Sequence, residues 1–279
     1  IPIYVALDSA DVWAHPEQFQ LDGQRRPSRV AGVPPDMFSS DGQLWGNPLY
    51  DWERMAREDY AWWKLRMKFS SELYDVVRID HFVGIAHYYS IPAGDDTAKN
   101  GVWVDGPGEG LIAAISGVMG GKRVIAEDLG IVIPEVGRML KRSGYPGMKL
   151  MQFGFDSGPD NEYLPCHYDK NVVVYGGTHD NETLAGFFAH QPRGVLRFAR
   201  AYLGVRTSRE IPWALIRAGY ASSADTAVFQ MQDLLGLGNE ARMNTPSTIG
   251  ENWRWRLAEG QLTSGTARKL RELAELYGR

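Results

Sequence analysis

Apolar residues along this chain fall into two kinds of run. The first kind is short and mainly apolar: Ile1-Pro-Ile-Tyr-Val-Ala-Leu7, Val76–Ile79, Arg123–Ala126, Met148–Phe155, Val172–Tyr175 and Ala227–Met231. Runs that do not alternate with polar residues are the pattern of parallel strands covered on both faces. The second kind is spaced at helical intervals. Trp52, Met55, Trp62, Leu65, Phe69 and Leu73 mark one face of a long helix, with charges on the other. Leu111–Val118 predicts a second helix. Pro134, Val136, Met139 and Leu140, then Gly144, have the proline-first, glycine-last order of a short one. Leucines at 270, 273 and 276 predict a C-terminal helix at about 267–277, closed by Gly278. Strand–helix alternation on this scale argues for a parallel α/β architecture. The strands number six, where eight would close a barrel. The chain opens inside the first of them, so residue 1 is expected to be a cut point.

Between residues 29 and 50 the periodicity fails. The turns Ala-Gly-Val-Pro-Pro-Asp36 and Ser-Asp-Gly-Gln43-Leu-Trp45-Gly-Asn-Pro exclude helix and weaken any strand. A loop of about twenty residues inside a compact domain is commonly functional. This one is expected to be a lid or substrate-contact loop on a single partial barrel spanning 1–279.

Composition narrows the functional classes. With 279 residues and 44% hydrophobic content the chain can bury the core of one α/β barrel. Its 30 basic and 34 acidic residues give a net charge of −4, and no basic block interleaves with aromatics. A nucleic-acid partner therefore has no electrostatic support. The one cysteine, Cys166, excludes an internal disulfide, and no cysteine–histidine spacing suggests zinc. That pattern fits a reducing cytoplasm. Neither a signal peptide nor a membrane-spanning apolar run is found, so a cytoplasmic protein without a membrane partner is expected. Most of the Trp, Tyr and Phe rings belong to the core. Those in the turn-rich segment from Gln43 to Tyr50 are expected nearer the surface, where an aromatic platform suits the C–H faces of sugars.

Three acids carry the candidate chemistry. Asp80, Glu127 and Asp180 each sit where an apolar run stops, in Val-Val-Arg-Ile-Asp80-His, Arg-Val-Ile-Ala-Glu127-Asp and Val-Val-Val-Tyr-Gly-Gly-Thr-His-Asp180-Asn-Glu-Thr. Carboxylates placed one per strand end equip enzymes that cleave glycosidic bonds. Retention of configuration needs a carboxylate nucleophile on one side of the bond and a protonated carboxyl on the other. Asp80 suits the first role. Arg78, two residues earlier on the same strand, points to the same side and offers a counter-charge. Glu127 follows an apolar stretch, where partial burial favours a proton. Asp180 is placed to bridge sugar hydroxyls, with His179 donating a hydrogen bond. Any one acid after a strand is more often a helix cap or loop residue, and Asp128 and Glu182 adjoin two of the candidates. His81 alone is more often a structural histidine, and Asn181 and Thr183 also suit the start of a helix. The three acids in order, each at a strand end, outweigh the single-residue readings. The glycines of Asp105-Gly-Pro-Gly-Glu-Gly110 lack the lysine and hydroxyl of a phosphate loop and read as a turn.

Val-Arg78-Ile-Asp80-His-Phe, Val-Ile-Ala-Glu127-Asp-Leu-Gly and Gly-Thr-His179-Asp180-Asn-Glu-Thr resemble the strand-four, strand-five and strand-seven motifs of the amylomaltases, or disproportionating 4-α-glucanotransferases, of glycoside hydrolase family 77. Ala-Leu-Asp8-Ser-Ala-Asp-Val-Trp resembles the strand-three motif. Gly-Val-Pro-Pro-Asp36 through Gly-Gln43-Leu-Trp45-Gly-Asn47-Pro-Leu-Tyr50 resembles the active-site loop, and Ala-Arg242-Met-Asn244-Thr-Pro the segment after strand eight. The resemblance runs from about residue 1 to 257. It implies a (β/α)8 TIM barrel of which about strands 3–8 are present, the first two strands belonging to an N-terminal part of the same enzyme. It implies Asp80 as nucleophile, Glu127 as acid/base and Asp180 as transition-state stabiliser. Asp8, Gln43, Trp45, Arg78, His81, His179 and Asn244 would contact or support the sugar. The implied reaction moves a 4-α-glucan segment from a maltooligosaccharide, amylose or glycogen-type donor to a sugar 4-hydroxyl, without a cofactor. An α-glucan hydrolase of the same clan and a catalytically incomplete glucan-binding piece are the competing readings.

Overall fold

The chain divides into two units, Ile1–Gly147 and Met148–Arg279, in a computed structural model that describes residues 1–35, 39–130, 133–246 and 248–279. Each unit has its own apolar core. The first contains helices α1 (Ala10–Ala14), α2 (Trp52–Arg57), α3 (Ala61–Leu73), α4 (Val83–Ala86), α5 (Gly108–Val118) and α6 (Pro134–Ser143). Its strands are β1 (Arg29–Val33), β2 (Gln43–Pro48), β3 (Val76–Ile79), β4 (His87–Pro92), β5 (Val102–Asp105) and β6 (Arg123–Ala126). β3 and β6 pair in parallel, while β2-β1-β4-β5 form an antiparallel sheet. In the second unit β7 (Gly147–Leu150, starting at the boundary), β8 (Val172–Tyr175) and β9 (Thr226–Val228) make a three-stranded sheet in which β8 and β9 run parallel. Its helices are α7 (Leu184–Ala189), α8 (Arg193–Leu203), α9 (Ile211–Ala221), α10 (Met231–Leu234) and α11 (Ser264–Tyr277). The mixed α/β class agrees with the sequence reading.

Several expectations need correction. Residues 1–7 form no ladder. The Ile1 ammonium donates to the Arg78 carbonyl and the Asp80 N–H returns to the Ile1 carbonyl at 2.9 Å, but Pro2 has no N–H with which to continue the pairing. The run 148–155 is strand only as far as Leu150, and Met151–Phe155 turns into a 3-10 helix. The run 227–231 likewise gives way to α10. The segment 29–50, expected to be a loop, carries β1 and β2, which pair at Gly32↔Leu44 and Val33↔Gln43. Gly32 fits there because a β-carbon would lie 2.2 Å from the Gln43 carbonyl oxygen. Asp36, between them in the sequence, lies outside the described residues. Tyr50, grouped with the surface rings, is fully buried against Phe19, Trp62 and Trp63.

The single helix expected from Trp52 to Leu73 is two. Asp59 and Tyr60 both adopt φ of 52°, a left-handed conformation that interrupts the helix. The break resets the phase. Trp52 and Met55 are buried as expected, but in α3 the inward residues are Trp63 and Met67, leaving Leu65, Phe69 and Leu73 51%, 56% and 75% exposed. α6 fits its sequence signature. Gly144 closes it at φ 70° with its N–H on the Leu140 carbonyl. α11 starts three residues before the expected 267 and ends at Gly278 in the left-handed region.

Candidate active site

The β3–β6 ladder positions the first two carboxylates. Its register runs from Val76↔Arg123 to Ile79↔Ala126, so Asp80 and Glu127 are the next residues on neighbouring parallel strands. The backbone fixes this further. Glu127 N–H donates to the Ile79 carbonyl at 3.0 Å, and Phe82 N–H to the Glu127 carbonyl at 2.9 Å. Two acids on adjacent strand ends then meet different surroundings.

Asp80 Oδ1 accepts from an Arg78 guanidinium nitrogen at 2.6 Å, and the Asp80 side chain is 45% exposed. Glu127 turns inward. Its Oε2 accepts the His81 N–H at 2.7 Å and its Oε1 the Leu129 N–H at 3.0 Å. Burial pushes the Glu127 carboxyl above the usual carboxylate range. The Asp80 charge adds to this, while Arg78 and the two amides oppose it less strongly. One carboxylate is thus open and partnered by a cation, and its neighbour holds its proton to higher pH.

His81 links this pair to the rest of the unit. It sits at φ 50°, which turns its N–H onto Glu127. Its ring packs edge-on to Trp45 with centroids 4.8 Å apart. Nε2 is buried without a hydrogen-bond partner among the described residues. Burial lowers its pKa to about 4, against the pull of Asp80, so the ring is neutral near pH 7. The ring leaves no room beside Gly84, where a β-carbon would meet His81 Cδ2 at 3.0 Å. Trp45 in turn donates from Nε1 to Gln43 Oε1 at 3.1 Å and tilts against Tyr4. Gln43, Trp45, Arg78, Asp80, His81 and Glu127 therefore form one connected group. Asp8 does not join it. It lies in an exposed turn before α1 and makes no side-chain hydrogen bond or ion pair among the described residues.

In the second unit Asp180 stands on the loop that follows β8. Its Oδ1 accepts from Asn244 Nδ2 at 2.5 Å, and His179 Nε2 lies 3.2 Å from its Oδ2. Arg242 donates to the Asp180 carbonyl at 2.6 Å and to the Asn244 carbonyl at 2.8 Å. Asn244 N–H reaches the His179 carbonyl at 3.1 Å, and the His179 ring packs on Trp253 at 5.1 Å. From further back, Gln230 donates to the Gly177 and Thr178 carbonyls. The loop ends where Thr183 caps α7, its hydroxyl accepting from Gly186 N–H at 3.0 Å. His179 thus meets Asp180 as expected, and Asn244, expected to contact the sugar, bonds to Asp180 instead. Arg242, Gln230 and Trp253 were missed as supports. The motif neighbour Asn244 signalled Arg242, but nothing in the sequence marked the other two.

No group of His, Cys, Asp or Glu among the described residues has the arrangement to hold a metal ion. No helix among them is long and apolar enough to cross a membrane.

Comparison with known proteins points to one family. A family profile described as glycoside hydrolase family 77, 4-alpha-glucanotransferase, matches residues 1–263. The chain is 48% identical to a 4-alpha-glucanotransferase of Thermus thermophilus over 282 residues, covering 99% of this chain and 56% of that protein. It is 45% identical to a 4-alpha-glucanotransferase of a Synechocystis species, covering 100% and 56%. The solved structure of an amylomaltase from Streptococcus agalactiae in complex with acarbose superposes with a TM-score of 0.96 at 40% identity, covering 100% of this chain and 57% of that one. The chain belongs to the 4-alpha-glucanotransferase family, glycoside hydrolase family 77. It spans a little over half the length of the curated relatives it matches.

Proposed function

We propose that this chain carries the catalytic residues of a retaining transglycosylase that moves 4-α-glucan segments between maltooligosaccharides or starch-like donors and a sugar 4-hydroxyl. The observation that carries the reading is the unlike pair on adjacent strand ends: exposed, Arg78-partnered Asp80 beside inward, proton-retaining Glu127. Asp80 attacks the anomeric carbon while Glu127 protonates the departing oxygen. A covalent glucosyl-Asp80 ester forms and the shortened sugar leaves. Glu127, now a carboxylate, takes the proton of the incoming 4-hydroxyl, whose oxygen displaces Asp80. Asp180, held by Asn244 and His179, is the stabiliser of the oxocarbenium-like transition state. A relative of the same family is known in complex with acarbose, and the names of the curated relatives support transfer over hydrolysis.

In this reading β3, β6, β7, β8 and β9 are the fourth to eighth strands of a (β/α)8 barrel, supported by the parallel pairing of β3 with β6 and β8 with β9. The 29–50 segment acts through β2. Its Trp45, seated on His81, keeps water from the glucosyl ester and so favours a sugar acceptor.

Incubating the chain with maltotriose and resolving the products by length tests the reading. Glucose with longer maltooligosaccharides is the expected result. Glucose and maltose alone would establish a hydrolase instead. Unchanged maltotriose with retention on an amylose column would make this chain a sugar-binding piece.

A further inference from the structure

The second unit carries a basic groove that the glycosidic chemistry does not use. It lies along α8 and the turn that follows, has a volume of about 380 Å³, and is lined by Arg193, Gly194, Leu196, Arg197, Arg200 and Ser208. Three of these residues are arginines and none is an acid. From residue 193 to 210 the sequence holds five arginines, Arg206 and Arg209 being the other two, against one acid, Glu210. That acid is already occupied, since its Oε2 accepts from the Thr207 N–H at 2.7 Å and the Thr207 hydroxyl at 2.8 Å. The local balance is opposite in sign to the chain's net charge of −4. Arg200 is held in place by bonds from its guanidinium to the Leu196 and Arg206 carbonyls. Arg193 and Arg197, one turn apart on the same helix face, make no ion pair or side-chain hydrogen bond among the described residues. Elsewhere some exposed arginines find a carboxylate, as Arg54, Arg138 and Arg142 do.

Like charges one turn apart on a helix repel, so a fold gains by neutralising them with a ligand. Guanidinium forks match the oxygens of a phosphate, two parallel bonds to each fork. The first turn of α8 has no side-chain cap, so its N–H groups near Gly194 favour the same charge. No aromatic ring lines the groove, which removes the stacking that single-stranded nucleic acid uses. Leu196 and the Ser208 hydroxyl leave one apolar and one hydrogen-bonding surface for the body of a small ligand. We propose that this groove is a binding site for a small phosphate monoester of sugar size, with Arg193 and Arg197 gripping the phosphate and Ser208 contacting the ester's hydroxyls.

The test is calorimetric titration of the full chain with glucose 6-phosphate, alongside inorganic phosphate and glucose. Saturable binding of glucose 6-phosphate in the millimolar range or tighter is expected, weakening as salt is added, with no binding of glucose in the groove. The double variant Arg193→Ser, Arg197→Ser should weaken it by roughly tenfold or more. Neither side chain bonds to the fold, so an unchanged circular dichroism spectrum and melting temperature should accompany the loss. No saturation up to about 10 mM, equal affinity in the double variant, or binding of inorganic phosphate without the ester would each overturn the proposal.

Discussion

The two units position their carboxylates by different means. Asp80 and Glu127 are set by a backbone ladder. Each is the first residue beyond a register pair, and no side chain is needed to bring them side by side. Asp180 stands on a loop, and its place depends on side chains from residues 230–253: Gln230 on the loop carbonyls, Arg242 and Asn244 on Asp180 itself, and Trp253 behind His179. A ladder distributes its constraint over many backbone bonds, whereas a strapped loop concentrates it in a few side-chain bonds. Substitutions around Asp80 should therefore act on chemistry while leaving geometry intact. Substitutions around Asp180 should act on geometry.

The largest effect should come from Asp80→Ala in the full-length protein. Transfer from maltotriose should fall to background while retention on amylose persists, and retained turnover would take the nucleophile role from Asp80. Glu127→Gln should cost roughly 10²–10⁴-fold in rate. Glu127 donates a proton in the first step, so activity should fall as pH rises through its raised pKa. That alkaline limb should be missing from the glutamine variant, and a profile that keeps it would assign the proton to another group. Asn244→Ala removes one hydrogen bond to a charged acceptor and should cost about 10–100-fold. Equal losses for Asn244→Ala and Asp80→Ala would erase the distinction between ladder and strap.

The strap also contains a buried acid. Asp233 is inaccessible to solvent. Its Oδ1 accepts the Leu184 N–H at 2.7 Å at the start of α7, while its Oδ2 has no hydrogen-bond partner among the described residues. Burial lifts its pKa to about 6, against the Leu184 bond. The folded chain then holds a proton that the unfolded chain releases near pH 4. Stability should decline as pH rises from about 4 to about 6, by up to roughly 3 kcal/mol. Asp233→Asn should lack that decline in a pH series of melting temperatures, and an identical series would show that Asp233 is charged at no cost. The smallest effect is expected for Trp45→Ala, a shift of a few-fold from transfer towards hydrolysis. A constant product ratio would remove Trp45 from the shielding role.

What the sequence revealed follows the same division. β3, β6 and β8 coincide with their apolar runs residue for residue: β8 is buried on both faces, while β3 and β6 bury alternate residues, Val77 and Ile79, Val124 and Ala126. Asp80 and Glu127, which directly follow β3 and β6, were legible from the ends of these runs, and so was Asp180, five residues beyond β8. The antiparallel sheet was not. β2 is half exposed and interrupted by Gly46 and Pro48, so its hydrophobic pattern carries no period and its pairing depends on β1 across the turn. The two-helix break was hidden because Asp59 and Tyr60 are ordinary helix residues that only the packed structure drives to positive φ. Gln230 and Trp253 were invisible as supports of Asp180, since contacts across more than fifty residues of sequence leave no local trace.

The ladder also makes the count of residues between the two catalytic candidates mechanically irrelevant. Between Ile79 and Arg123 the chain leaves the sheet, builds α4, the β4–β5 hairpin and α5, and returns. Gly94, in the turn after β4, is exposed, and a β-carbon there would meet nothing within 4 Å. Lengthening such a loop costs only about 0.6 kcal/mol per doubling. A reporter peptide spliced in at Gly94 would change the spacing of Asp80 and Glu127 in sequence and move neither in space. Removing one residue from the four of β3 would turn Asp80 to the opposite face of the sheet.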